Sequence, residues 1–268
     1  MDFKALKERL KGLPAATKWL DPFTYVDLYV MPRVNPSNSQ VVAWAVYLVF
    51  AFLFAFILYT GLGLLLGTAS PMVIVVSGSM EPFFYRGDVI LLVGASPDQI
   101  RVQEITLKRT TLDKIRSRDY VESHCFGEPF RELLPCDSYL ALLAQRKISD
   151  TDFAVKELRF ADGQTLRLDK EGDVLVYFSE ALQQPIIHRA VAKLKAGDGV
   201  YFLTKGDSVH NPLIDQETHI IQSALPAREV QGKMVFRIPL LGYVKLLLFD
   251  VPRNLLTGCY FSGKCPFP

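Results

Sequence analysis

Residues 41–66 read VVAWAVYLVFAFLFAFILYTGLGLLL and contain no charged side chain. As an α-helix they would be about 39 Å long at 1.5 Å per residue, which exceeds the roughly 30 Å of a bilayer's hydrocarbon core. The apolar region of a cleavable signal peptide is only about 7–15 residues long and begins near the N-terminus. A helix that is apolar on every face and this long favours a membrane over a protein core. The stretch therefore predicts one transmembrane helix, which we assign to residues 41–67.

The charges on either side of this helix predict its orientation. The basic residues before it are Lys4, Lys7, Arg9, Lys11, Lys18 and Arg33. After it, the first Lys or Arg is Arg86. Loops that stay in the cytoplasm carry the excess of Lys and Arg. Residues 1–40 are therefore predicted to be a cytoplasmic segment, and residues 68–268 an extracytoplasmic domain.

The beginning of the cytoplasmic segment has a helical pattern. Phe3, Leu6, Leu10 and Leu13 recur at helical spacing between charged residues. Such a pattern predicts an amphipathic helix on the inner membrane surface. An ordinary solvated helix would show the same spacing, and the sequence leaves both interpretations open.

The overall composition excludes two classes of protein. Of the 268 residues, 50% are hydrophobic, and the net charge is +2. A disordered polyelectrolyte would be less apolar and more highly charged. A nucleic-acid-binding domain would show a basic stripe interleaved with aromatic residues, and the sequence has none. We therefore expect no nucleic-acid partner.

Short apolar runs after the span predict a mostly β domain. They cover residues 72–76, 89–93, 173–178, 186–194, 200–204 and 233–238. Turns containing Gly or Pro separate them, which favours a sandwich-like or barrel-like architecture. Residues 97–170 are rich in charge and include a helical pattern at 137–148, so we expect an α/β insertion there. The apolar run 240–249 is too short to span a bilayer. We expect it to pack in the core, with a position at the membrane interface as the alternative, before a C-terminal tail at 250–268.

All four cysteines lie on the predicted outer side. Cys125 and Cys136 form one sequence-local pair, and Cys259 and Cys265 form the other. In an oxidising compartment two disulfides are expected, while four free thiols are the alternative. A zinc site at His124 and Cys125 lacks the paired C-x-x-C ligands that such sites use.

Ser77 and Ser79 flank a glycine at the end of one apolar run. If residues 73–79 are extended, side chains two apart share a face, so both hydroxyls would point the same way. One hydroxyl could attack a substrate while the other donates a hydrogen bond beside it. Gly78 would let a substrate backbone approach closely. The tripeptide alone is also common in ordinary turns.

A wider pattern around these serines resembles the type I signal peptidases. The matching blocks are 77–82 (SGSMEP), 85–90 (YRGDVI), 185–191 (PIIHRAV), 202–207 (FLTKGD), 230–233 (VQGK) and 236–244 (FRIPLLGYV), in the family's order. The resemblance covers the span and nearly all of the β domain, but not residues 1–40, the insertion or the tail. It implies a signal-peptidase-like β domain with Ser79 as nucleophile.

The resemblance also implies the general base. Bacterial members use a lysine in the block after the insertion, whereas the matching position here is His188, as in the archaeal and endoplasmic-reticulum forms. Imidazole suits this role because its ordinary pKa of about 6.5 leaves it neutral at working pH. The oxyanion would be held by the Ser79 backbone N–H and the Ser77 hydroxyl. The neighbouring Arg189 would face the opposite side of its strand.

A third group usually fixes the tautomer of a histidine base, and two carboxylates could supply it. The ending Asn-Pro-x-x-Asp at Asp215 resembles archaeal members, which favours Asp215. The Ser-Val-His stretch after Asp207 departs from the family pattern, so Asp207 remains the alternative. Asp88 is expected to shape a turn. His124, His210 and His219 are expected on the surface.

The resemblance implies a membrane-bound serine endopeptidase that removes signal peptides from exported preproteins through an acyl-enzyme. Its substrates would be cut after a small-x-small pattern, and no metal or organic cofactor would be needed. Expected partners are signal-peptide-bearing preproteins and the lipid bilayer, with a secretion translocon or accessory subunits as further candidates. The archaeal cell membrane is the expected setting, and the endoplasmic reticulum is the alternative. A self-cleaving regulatory protease of the same clan and a non-catalytic membrane-anchored β module are the alternative functions.

Overall fold

The structure is a computed structural model, and it describes residues 20–243 of the chain. The predicted N-terminal amphipathic helix, the pair Cys259 and Cys265, and residues 244–268 lie outside the described residues. The chain divides into two compact units, Met1–Leu62 and Gly63–Pro268.

The described part of the first unit is a helical hairpin. Its elements are α1 (Pro22–Tyr25), a π-helical turn (Val26–Val30), α2 (Met31–Val34) and the beginning of α3 (Gln40–Leu66). Asn35 closes the turn, because its side-chain amide both donates to the Ser39 carbonyl and accepts from the Ser39 N–H, each at 2.8 Å. The Phe23 and Phe50 rings meet edge to face at 5.3 Å between centroids. The turn between α2 and α3 thus reverses the chain.

The predicted transmembrane helix corresponds to α3. This helix has 27 residues, and it is the one helix among residues 20–243 that is long and apolar enough to cross a membrane. Its large apolar side chains are mostly exposed, including Trp44, Phe52 and Leu64. An apolar helix without a protein covering matches a lipid environment.

The described part of the second unit is built on two β-sheets, which confirms the expectation of a mostly β domain with one apolar helix before it. The strands are β1 (Met72–Ile74), β2 (Val89–Val93), β3 (Glu104–Thr106), β4 (Val121–Gly127), β5 (Leu134–Pro135), β6 (Phe153–Phe160), β7 (Thr165–Arg167), β8 (Val174–Ser179), β9 (Gln184–Ala196), β10 (Gly199–Lys205), β11 (Leu225–Pro226) and β12 (Val230–Ile238). The larger sheet has the order β1-β2-β12-β8-β9-β10-β11, and β3 pairs in parallel with β9. Each of the six apolar runs of the sequence contains a strand of this sheet, although β1 covers only residues 72–74 of the run 72–76.

The smaller sheet lies within the residues that were predicted as an insertion. Its order is β5-β4-β6-β7, and it packs beside α4 (Cys136–Ala144). A disulfide joins Cys125 of β4 to Cys136, the first residue of α4. The buried Tyr139 hydroxyl donates to the Glu132 carbonyl at 2.7 Å, so the helix is fixed to the strand end by a covalent bond and a hydrogen bond.

A separate apolar cluster lies under the loop that follows β1. Met80 and Phe84 of this loop are fully buried against Ile90 of β2 and Val176 of β8. Burying a side chain of this size contributes roughly 1.5–3 kcal/mol. The loop that carries Ser79 is therefore anchored from below by its own apolar residues.

The apolar run at 240–249 does not pack as expected where the structure describes it. Leu240 is 62% exposed and Leu241 is 50% exposed, which contradicts core packing for these two residues. The segment is held instead by backbone contacts, since the Gly242 N–H donates to the Gly87 carbonyl at 2.8 Å. A Cβ on Gly87 would lie 2.3 Å from the Tyr243 ring, so this close approach needs a glycine.

Candidate active site

Ser77 and Ser79 lie in the bend and turn after β1. The strand ends at Ile74, two residues earlier than the run 72–76 predicts. The two hydroxyls are nevertheless neighbours, with 3.3 Å between the Oγ atoms. Ser77 is exposed and Ser79 is half-buried, so both hydroxyls lie at the surface of the loop, where a polypeptide substrate has access.

His188 lies in the middle of the larger sheet and is 2% exposed. It belongs to β9 and pairs with Leu175 of β8. Its Nδ1 is 2.7 Å from Oδ2 of Asp215, which begins a short 3-10 turn (Asp215–Glu217). The Tyr177 hydroxyl donates to the same carboxylate oxygen at 3.0 Å. The structure therefore brings Asp215, rather than Asp207, to the histidine.

The surroundings of Asp215 keep its carboxylate ionised. Burial by itself would raise the pKa of this carboxyl. The charge and hydrogen bond of His188, with hydrogen bonds from Thr204 and Tyr177, outweigh that effect and lower the pKa below its ordinary value. An ionised acceptor at Nδ1 places the ring hydrogen on that atom and leaves Nε2 as the acceptor. Among the described residues, none forms a hydrogen bond with Nε2.

Asp207 forms a different buried ion pair. Arg189 Nε lies 3.0 and 3.1 Å from the two carboxylate oxygens of Asp207, and Arg189 Nη2 lies 2.6 Å from Oδ2. The remaining terminal nitrogen of Arg189 donates to the Gly172 carbonyl at 2.7 Å. Both side chains of the pair are buried. Asp207 thus pairs with Arg189, the residue after His188. This pair anchors the loop after β10.

The loop that begins at Gly206 lies against the backbone of Ser79. The Ser208 N–H and Asn211 Nδ2 both donate to the Ser79 carbonyl, each at 3.0 Å. A Cβ on Gly206 would lie 2.6 Å from that carbonyl oxygen and 2.3 Å from Asn211 Nδ2. In the part of the chain that the structure describes, no hydrogen bond joins the Ser79 hydroxyl to His188.

Four residues of this site were missed by the sequence analysis: Tyr177, Thr204, Lys205 and Asn211. The Thr204 hydroxyl lies 3.2 Å from the Tyr177 hydroxyl and extends the network behind Asp215. Burial lowers the pKa of the Lys205 ammonium to about 8, and its Nζ donates to the Gly206 carbonyl at 2.9 Å. Thr204, Lys205 and Asn211 stand within or beside the matched blocks, whereas no motif marks Tyr177.

The other titratable candidates take structural positions. Asp88 is buried and shapes a turn, accepting from the Tyr85 N–H at 2.9 Å and pairing with Arg237 Nε at 2.9 Å. The expectation that His124 lies on the surface is wrong, because it is 4% exposed and its Nε2 lies 3.3 Å from Glu122. Strict alternation would place His124 on the exposed face with Glu122, but the register of β4 against β6 shifts between His124 and Cys125. His210 and His219 are exposed as expected.

Comparison with known proteins adds independent information. No protein-family model matches this chain. The signal peptidase complex catalytic subunit SEC11 of Verticillium alfalfae is 28% identical over 207 residues, which cover 76% of this chain and 80% of that protein. The proteins of the same name from Colletotrichum graminicola and Pyricularia oryzae are 26% and 27% identical, and each alignment covers 74% of this chain and 75% of the relative.

These similarities extend over three quarters of the chain and agree with the fold. They accompany a mostly β unit, an apolar helix before it, and a buried histidine paired with a buried aspartate. Together, the similarity to SEC11 proteins and the fold support a Sec11-like type I signal peptidase.

Proposed function

We propose that this chain is a membrane-bound serine endopeptidase that removes N-terminal signal peptides from exported preproteins. Ser79 is the nucleophile, His188 is the general base, and Asp215 holds the histidine. The observation that carries these roles is the buried His188–Asp215 pair, 2.7 Å between Nδ1 and Oδ2, since His188 lies in the same sheet as β1, the strand that precedes the Ser79 loop. The similarity to proteins named as catalytic subunits of signal peptidase supports the reaction class.

The first half of the reaction forms an acyl-enzyme. His188 Nε2 accepts the hydroxyl proton of Ser79 as Oγ attacks the scissile carbonyl carbon. The resulting oxyanion receives hydrogen bonds from the Ser79 backbone N–H and from the Ser77 hydroxyl, which lies 3.3 Å from Ser79 Oγ. The C–N bond then breaks, and the imidazolium returns its proton to the leaving amine.

The second half releases the signal peptide. A water molecule gives a proton to His188 Nε2 and attacks the acyl carbon, and collapse of the second tetrahedral intermediate returns the proton to Ser79 Oγ. Throughout, the Asp215 carboxylate accepts the Nδ1 hydrogen and stabilises the imidazolium. Catalytic hydrogen bonds in substrate-free enzymes are often long and tighten only when substrate binds. The missing hydrogen bond between Ser79 and His188 is compatible with that behaviour.

The setting is a membrane, and we propose the orientation and the compartment. About a dozen residues lie between the end of α3 and Ser79, which limits their separation to roughly 40 Å. The basic residues before the span favour a cytoplasmic N-terminus and a catalytic unit outside the cytoplasm. The Asn-Pro-x-x-Asp pattern ending at Asp215 favours the archaeal cell membrane, and the endoplasmic reticulum is the alternative. Because the relatives are named as subunits of a complex, we also propose accessory subunits for this chain.

Cleavage of a preprotein by the full-length chain in detergent tests the proposal. Ser79→Ala and His188→Ala are expected to lose at least about 1,000-fold in kcat/KM, because each removes a reacting group. His210→Ala replaces an exposed histidine outside the site and should retain activity. Processing by Ser79→Ala or His188→Ala at the wild-type rate would exclude the mechanism. An inactive wild-type chain that still binds preprotein would favour the non-catalytic module, and cleavage of the chain itself would favour the self-cleaving protease.

A further inference from the structure

We propose that Asn211 is a positioning residue that holds the backbone of the nucleophile at the distance the base requires. The proposal rests on the proposed function of Ser79. Asn211 does not touch the reacting atoms. It acts through the Ser79 carbonyl, to which its side-chain amide donates a hydrogen bond at 3.0 Å.

The first argument is the double hydrogen bond on one carbonyl. The Ser79 carbonyl accepts both from Asn211 Nδ2 and from the Ser208 N–H, each at 3.0 Å. Two donors from one loop fix the plane of the peptide that follows Ser79. Fixing this plane restricts ψ of Ser79, and thereby the direction in which its Cβ and Oγ leave the backbone. Among the described residues, no hydrogen bond joins the Ser79 hydroxyl to His188, so such a bond does not orient the hydroxyl.

The second argument is the route that links the nucleophile to the base. Asp207 lies in the same loop and is bonded through three contacts of 2.6–3.1 Å to Arg189. Arg189 is the residue after His188 on β9. The loop therefore joins the base-bearing strand at one end and the nucleophile's carbonyl at the other. The arrangement sets the separation of Ser79 and His188 without a direct bond between them.

The third argument is that Asn211 is itself held from two sides. Pro212 follows it, and a residue before proline is restricted to extended backbone conformations. The Pro212 carbonyl accepts from the Val155 N–H of β6 at 2.8 Å. Gly206 leaves the space for the amide, because a Cβ there would lie 2.3 Å from Asn211 Nδ2. The smaller sheet thus fixes the backbone next to Asn211, and Gly206 leaves space for the Asn211 side-chain amide.

Steady-state cleavage of a preprotein by Asn211→Ala in the full-length chain is the direct test. Misplacing a reacting group by about 1 Å can cost roughly 100-fold in rate, so we expect kcat to fall about 10- to 100-fold. KM should change less than about threefold, because the proposed role of Asn211 is exerted through the Ser79 backbone and not through substrate. Val209→Ala is the matched control, since its side chain in the same loop is 66% exposed, and it should behave as wild type.

Asn211→Asp separates positioning from a merely structural role. An ionised carboxylate cannot donate to the Ser79 carbonyl, whereas a protonated one can. The kcat/KM ratio of Asn211→Asp to wild type should therefore rise as the pH falls from 8 to 5.5, because the fraction of the new carboxyl that carries a proton increases. The same ratio for Asn211→Ala should stay flat. The charged and ionisable groups near this position are Lys205, Asp207, His210 and Asp150. They are present in every variant, so the ratio cancels their direct effects.

Gly206→Ala provides a second perturbation from the opposite side. Its Cβ would displace Asn211 Nδ2 and the Ser79 carbonyl, and we expect kcat to fall by at least as much as in Asn211→Ala. Wild-type kcat in Asn211→Ala, or a flat ratio for Asn211→Asp, would overturn the inference while Ser79→Ala stays inactive. Cleavage by Ser79→Ala at the wild-type rate would instead overturn the proposed function.

Discussion

Two neighbouring residues of β9 each bind a buried carboxylate, and the two pairs differ in what they can do. His188 pairs with Asp215 at 2.7 Å, and Arg189 pairs with Asp207 at 2.6 Å. Both pairs are almost fully buried. Imidazole exchanges a proton near neutral pH, whereas a guanidinium stays charged at any working pH. The first pair can therefore take part in proton transfer, and the second can only hold structure.

The partners of each carboxylate show the same division. Asp215 receives hydrogen bonds from groups that can adjust to a change of charge, the imidazole and the Tyr177 hydroxyl. Asp207 receives its contacts from one rigid guanidinium, whose fork matches a carboxylate. The comparison teaches that burial and a charged contact do not by themselves identify a catalytic carboxylate. The side chain that the carboxylate binds must also be one that can exchange a proton.

Asp215→Asn is expected to have the largest effect on turnover. The substitution keeps the shape but lets the side chain favour the wrong tautomer of His188, and kcat/KM should fall about 10³- to 10⁴-fold. Preprotein cleavage by the purified chain measures the loss, and near-ultraviolet circular dichroism should show an unchanged fold. Activity within tenfold of wild type would assign the catalytic carboxylate elsewhere and break the comparison.

Asp207→Ala should chiefly lower stability. Removing one partner leaves the Arg189 guanidinium buried and unpaired, which costs about 3–5 kcal/mol. For a unit of this size the thermal unfolding midpoint should fall by about 6–20 °C. The double variant Arg189→Met with Asp207→Leu should recover most of that loss, because replacing both charges by apolar groups is often neutral. An unchanged unfolding midpoint in Asp207→Ala would show that the ion pair does not stabilise the folded unit.

Tyr177→Phe should have the smallest effect. It removes one hydrogen bond to Asp215 and leaves the one from His188, so a loss of about 1 kcal/mol in stability is expected. A similar loss in the transition state corresponds to about a fivefold lower kcat/KM. The unfolding midpoint and the cleavage rate measure the two effects. A defect as large as that of Asp215→Asn would make the tyrosine an equal member of the site.

The sequence predicted the elements of the fold better than the contacts between them. The apolar runs at 72–76 and 186–194 became strands because alternation and β-branched residues suit a pleated sheet whatever the neighbours are. The inward position of His124 was missed because the register of β4 depends on its pairing with β6. The helical hairpin at Asn35 was missed for the same reason, since it depends on contacts such as Phe23 with Phe50.

The residues of the candidate site show the same difference between local and long-range features. Ser79 and His188 could be assigned from the sequence because their chemistry is carried by local blocks of residues. The contact between His188 and Asp215 spans 27 residues, and the contact between Ser79 and Asn211 spans 132. No local pattern encodes such separations. The sequence by itself therefore indicated the membrane span and the β character, and it predicted Ser79 and His188 as the reacting residues. Only the tertiary structure decided which carboxylate meets the histidine, because strand pairing and loop packing set which distant side chains share a buried space.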